Sequence, residues 1–196
     1  MFASRLRAQL TMIKFVIAAL ALTATAWTST ASAHNSKWGH GKDKIVFTVD
    51  VAEDFNLFNP TPVNPSDTQP ERGSFFVTEG NIYPAGTIKG DGASFDPSMA
   101  GAFGRWFCRG THLVPASAIP DAAFWVQTAQ LFLLPDDTRS IATEGVEGNG
   151  TVVRAISGGT GKYRDYVGEQ RQEFLGFNAT GGVNLRVTFI LKKATR

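Results

Sequence analysis

The chain has 196 residues, with 19 Lys and Arg against 17 Asp and Glu, one cysteine and three histidines. Arg5, Arg7 and Lys14 precede residue 34 and no acidic residue does, so the remainder carries 16 basic against 17 acidic groups, a net charge of −1. That balance gives no electrostatic case for nucleic acid, whose binding rests on clustered Lys and Arg. A single cysteine excludes an intrachain disulfide, so stability must come from a core.

Residues 1–33 read as a signal peptide. A basic start leads into the apolar run FVIAALAL, and Ala31-Ser32-Ala33 supplies the small residues that cleavage requires. The run is shorter than the roughly 20 residues a membrane helix needs, and no later segment is long enough, so no membrane span is expected. Cleavage near Ala33 predicts a secreted or periplasmic protein. Residues 34–44 (HNSKWGHGKDK) then form a flexible N-terminus and 45–196 a single domain.

From residue 45 the chain is a succession of strand patterns. In 45–53 (IVFTVDVAE), Ile45, Phe47, Val49, Val51 and Glu53 share a face. Residues 55–71 hold four prolines and read as a loop, followed by a second strand over 73–83 and a Gly- and Pro-rich connection over 84–101. Strands over 103–113 and 124–134 follow. The fourth, FWVQTAQLFLL, is apolar on both faces, which one closed barrel cannot bury, and this predicts a homo-oligomer. Residues 138–147 make the fifth strand and Gly148-Asn149-Gly150 a hairpin turn. Strands over 151–157, 166–177 and 183–192 complete the chain. Eight consecutive strands with turn signals between them predict an all-β fold, an eight-stranded antiparallel up-and-down barrel. Its interior is either filled by side chains or wide enough for one small ligand.

Few residues read as chemistry. Cys108 is a small buried hydrophobe in a strand. Gly158-Gly159-Thr160-Gly161-Lys162 fails as a phosphate loop, because Tyr163 replaces the magnesium-binding hydroxyl and Ile156 the first glycine. The histidines and cysteine have no zinc-like spacing, and no metal is expected. In the seventh strand Glu169, Arg171 and Glu173 share one face, and Gln170, Gln172 and Phe174 the other. Either charges face outward over inward glutamines, or a carboxylate enters the interior with Arg154 or Arg109. Tyr83, Trp106 and Trp125 are candidates to line a pocket for an apolar ligand, or simply to fill the core.

The stretch RAISGGTGKYRDYVG over 154–168 resembles the hallmark of the allene oxide cyclase and dirigent barrels, in which a strand runs into a GGTG or GGSG turn, an aromatic follows, and a glycine opens the next strand. IATEG over 141–145 matches a strand that these families end in glycine. The resemblance is good from about residue 138 to 189. It implies a calycin-type barrel, often a trimer, with a hydrophobic cavity and no cofactor, that isomerises, cyclises or steers reactive apolar substrates. In the cyclases a first-strand carboxylate reaches the cavity, and Glu53 matches it here. Their neighbouring Asn and cavity Cys have no evident counterparts, so their catalytic set is not carried over. The candidate catalytic residues are therefore Glu53, Glu169 and Arg154, and the candidate ligand contacts Tyr83, Trp106, Arg109 and Trp125. The expected function is an exported barrel holding a small hydrophobic molecule, with or without cofactor-free isomerisation. The alternatives are a non-catalytic, lipocalin-like binder and a secreted structural or interaction protein.

Overall fold

The computed structural model describes residues 44–135 and 138–194. The expected signal peptide, nearly all of the 34–44 segment and the Asp136-Asp137 turn lie outside the described residues. Nine strands run in chain order: β1 (Lys44–Glu53), β2 (Asn59–Thr61), β3 (Phe75–Pro84), β4 (Gly104–His112), β5 (Val126–Leu133), β6 (Ser140–Glu147), β7 (Thr151–Gly159), β8 (Tyr166–Phe177) and β9 (Val183–Lys193). From β3 to β9 each strand pairs antiparallel with the next. β1 pairs with β9 on one side and with β3 on the other, which closes an eight-stranded barrel. The expected architecture is therefore the observed one. The addition is β2, three residues of the proline-rich loop laid on the edge of β3, where Pro60 is tolerated because an edge strand need not donate on both sides.

Period-two alternation decides what enters the barrel. In β4, Trp106, Cys108, Gly110 and His112 are buried while Arg105, Arg109 and Thr111 are exposed. In β5, Val126, Thr128, Gln130 and Phe132 are buried. One end of the interior is an apolar plug in which Phe189 meets Phe132 edge-on at 4.9 Å and Phe47 at 4.9 Å. The glycine-rich turn after β7 returns Tyr163 onto Phe47 there. Midway, a polar band replaces the apolar filling. The far end carries Phe58, Phe76, His112, Val126 and Phe174.

A strap over 85–101 packs against the outside of β1, β9 and β8, so part of the barrel wall is buried on both faces. Asp50, fully buried, accepts from Arg186 Nε and Nη2 at 2.9 and 3.1 Å and from the Ile88 N–H at 2.9 Å. Asn184 Nδ2 donates to the carbonyls of Asp91 and Gly92. Gly176, with φ +148°, leaves no room for a Cβ, which would fall 2.5 Å from the Asp91 carbonyl oxygen. On the uncovered side, the outer face of β3 to β6 exposes Phe75 (42%), Val77 (41%) and Leu131 (36%). Val77 and Leu131 border a groove of about 440 Å³ that also touches Leu57, Phe107 and Ala142. The two-faced apolar character of the fourth strand is thus real, with Leu131 its outward part.

Candidate functional site

The polar band centres on Glu147, the last residue of β6. Ile141, Thr143, Gly145 and Glu147 share the inward face of that strand, opposite Phe132, Gln130, Thr128 and Val126 of β5. Glu147 Oε1 accepts from the Thr128 hydroxyl and from Gln130 Nε2 at 2.9 Å, and lies 3.7 Å from the Cys108 thiol. Oε2 accepts from Gln172 Nε2 at 2.9 Å. Arg154 Nη1 stands 3.5 Å from Oε1; its side chain is wholly buried, whereas that of Glu147 keeps 11% exposure. Arg154 also donates to the Thr128 and Val146 carbonyls at 3.0 and 3.3 Å. Gly145 makes this possible, since a Cβ there would sit 2.9 Å from Arg154 Cγ. Glutamines 130, 170 and 172 bond to one another at 2.9–3.0 Å. Burial lowers the Arg154 pKa and Glu147 opposes that effect. Burial, with Glu147 nearby, pushes the Cys108 thiol well above its usual range.

Glu53, at the end of β1, is the second interior carboxylate. Its Oε1 accepts from the Thr78 hydroxyl at 2.6 Å and its Oε2 from the Val183 N–H at 2.8 Å. Asn178 Nδ2 donates to its backbone carbonyl at 2.7 Å. Burial raises its pKa above 4.5, and the hydrogen bonds from the Thr78 hydroxyl and the Val183 backbone N–H only partly offset that.

Against 5% exposure for Tyr163 at the plug, Glu53 (6%), Phe76 (6%), His112 (7%) and Glu147 (8%) are buried at the opposite end. An aromatic series lines it, with Phe55, Phe58, Phe76 and His112 in successive contact at 5.0, 5.4 and 5.3 Å. Trp125 meets Phe174 edge-on at 5.3 Å.

No family model matches the chain, and no curated protein matches it by sequence. Among solved structures, it is similar to the pterocarpan synthase dirigent protein PsPTS1, with a TM-score of 0.58 and 10% identity over 79% of this chain and 98% of that one. The pterocarpan synthase dirigent protein GePTS1 gives a TM-score of 0.56 and 10% identity over 81% and 90% of the two chains. In fold, this is a dirigent-like barrel.

The dirigent-like wall sorts the candidates named from sequence. Glu53 and Arg154 are both inside, Glu53 on Thr78 and Arg154 on Glu147. Glu169 is exposed on the outer face of β8, because Gln170 and Gln172 take the inward positions. Arg109 also points outward, opposite Val77. Tyr83 and Trp106 lie on opposite sides of the wall. Trp106 fills the core, whereas Tyr83 is sealed beneath the strap, its hydroxyl donating to the Pro97 carbonyl at 2.7 Å. Trp125 packs edge-on against Phe174. Sequence reasoning did not single out Glu147, Thr128, Gln130 or His112 as site residues. The alternation running from Ile141 to Glu147 carried the signal for the first of them.

Proposed function

We propose that the protein is an exported member of the allene oxide cyclase and dirigent group, which takes up a small hydrophobic molecule at the Glu53–His112 end and isomerises or cyclises it without a cofactor. The observation that carries this reading is Glu53, a carboxyl buried at the His112 end of the barrel interior, whose pKa burial raises. Such a group takes a proton from one atom of the substrate and returns it to another, so no atom is gained or lost. The Glu147–Arg154 pair is saturated by its own partners and acts as the rigid floor beneath. The outer apolar face around Val77 and Leu131 is the surface on which copies of the chain would assemble, as a trimer or dimer.

One observation favours a second reading: aromatic side chains and the glutamine band fill the middle of the barrel. A solid barrel suits a secreted structural or interaction protein. Native mass spectrometry of protein purified from its own source separates the readings. A co-purifying apolar molecule supports the first, and its conversion should be lost in Glu53→Gln while its binding remains. Conversion that survives Glu53→Gln removes Glu53 from the chemistry. An empty protein that also fails to bind a neutral hydrophobic dye leaves only the second reading.

A further inference from the structure

His112 is the buried polar side chain whose chemistry the fold leaves unused. It ends β4, is 7% exposed, and packs against the Phe76 ring. Neither Nδ1 nor Nε2 meets a hydrogen-bond partner among the described residues. A buried polar atom left without a partner is unfavourable, and this ring carries two. The indole N–H of Trp125 is likewise without a partner. Trp125 is the chain neighbour of Val126, which is opposite His112. A neutral imidazole offers one donor and one acceptor, and burial holds His112 toward that neutral form. The His112 ring thus leaves a donor and an acceptor unused beside the Phe76 ring.

Charge narrows the choice of occupant. Among the described residues, the charged side chains buried inside the barrel are Glu53, Glu147 and Arg154, and Arg154 is already committed to Glu147 and two carbonyls. An entering carboxylate or phosphate would meet two carboxyl groups and no available interior cation.

We propose that His112 anchors an uncharged molecule with an apolar body and a hydroxyl or carbonyl oxygen, and that this end of the barrel rejects anions built on the same body. The proposal rests on the ligand-binding reading above and gives it a substrate class. The test is displacement of the neutral fluorescent dye N-phenyl-1-naphthylamine from the purified protein by 1-decanol and by decanoate at neutral pH. The expected result is dye binding, displacement by decanol at least tenfold more effective than by decanoate, and in His112→Phe a roughly tenfold loss of decanol affinity relative to dye affinity. His112→Gln, which keeps a donor and an acceptor, should retain the preference. In the unaltered protein, decanol should shift the His112 imidazole nitrogen resonances. Dye binding without a decanol preference, without a His112 shift, or with a preference unchanged in His112→Phe overturns the assignment and leaves the ligand barrel standing. Absence of dye and decanol binding overturns both.

Discussion

Replacing Arg154 with Met removes the positive charge from the barrel interior while nearly conserving volume. Glu147 keeps Thr128, Gln130 and Gln172 but loses its counter-charge, and the Thr128 and Val146 carbonyls lose donors at 3.0 and 3.3 Å. Removing one partner of a buried ion pair costs about 3–5 kcal/mol. Two lost hydrogen bonds at about 1 kcal/mol each account for roughly half of that. The 3.5 Å approach and the residual 11% exposure of Glu147 place the expected loss at the lower end, about 3 kcal/mol. With a domain stability of about 5–15 kcal/mol, that is a large share. It should lower the Tm by about 6–12 °C at about 2–4 °C per kcal/mol. Urea unfolding followed by tryptophan fluorescence measures it, with the denaturant slope unchanged. The double variant Glu147→Leu, Arg154→Met leaves no unpaired charge and should cost less than the two single losses added together. An Arg154→Met protein within about 1 kcal/mol of the parent would refute the view that this pair organises the interior.

Three further outcomes follow from the same geometry. Burial raises the Glu53 pKa above its unfolded value of 4.5, so the favourable contribution of the protonated form is complete below about pH 4.5 and is lost as pH rises through the folded pKa. Glu53→Gln mimics the protonated form, so the parent should lose stability relative to this variant as pH rises above about 4.5; parallel Tm curves would contradict this. Cys108 is buried and its thiol pKa is raised, so a thiol-specific disulfide reagent should react on the timescale of unfolding rather than immediately, and instant reaction of the folded protein would exclude the described burial. Asp50→Asn weakens the bidentate clamp from Arg186, where charge-assisted bonds contribute about 1.5–3 kcal/mol; limited proteolysis should then cut first within residues 85–101, and a cleavage pattern identical to the parent's would argue against the clamp.

The strands were legible because the chemistry that makes them is local. Alternation over 45–53, the Gly148-Asn149-Gly150 turn and the run over 183–192 each announce an element within a residue or two of where it forms. β2 was not legible, since Asn59-Pro60-Thr61 pairs only because β3 offers an edge. The inward face of β1 was readable from its apolar company, and Glu53 with it. Glu147 was obscured by its position before a turn, where a carboxylate ordinarily meets water. Tyr83 and Trp106 looked equivalent as aromatic residues, yet the strap puts one outside the wall and one inside. Nothing local in the strap marks where it will lie, because its anchors, Asp50, Asn184 and Arg186, sit at the two ends of the sequence.

Closure of the barrel by β1 and β9 ties the setting of the Glu53 carboxyl to the order of synthesis. The two donors that hold the Glu53 carboxyl lie 25 and 130 positions further along the chain, and the second arrives only with the last strand. A nascent chain lacking β9 has a seam along β1 and an incompletely held acid. Contacts of such long sequence separation form late and slowly. The C-terminal strand is therefore both the final stave of the wall and the source of one of the two donors to the Glu53 carboxyl.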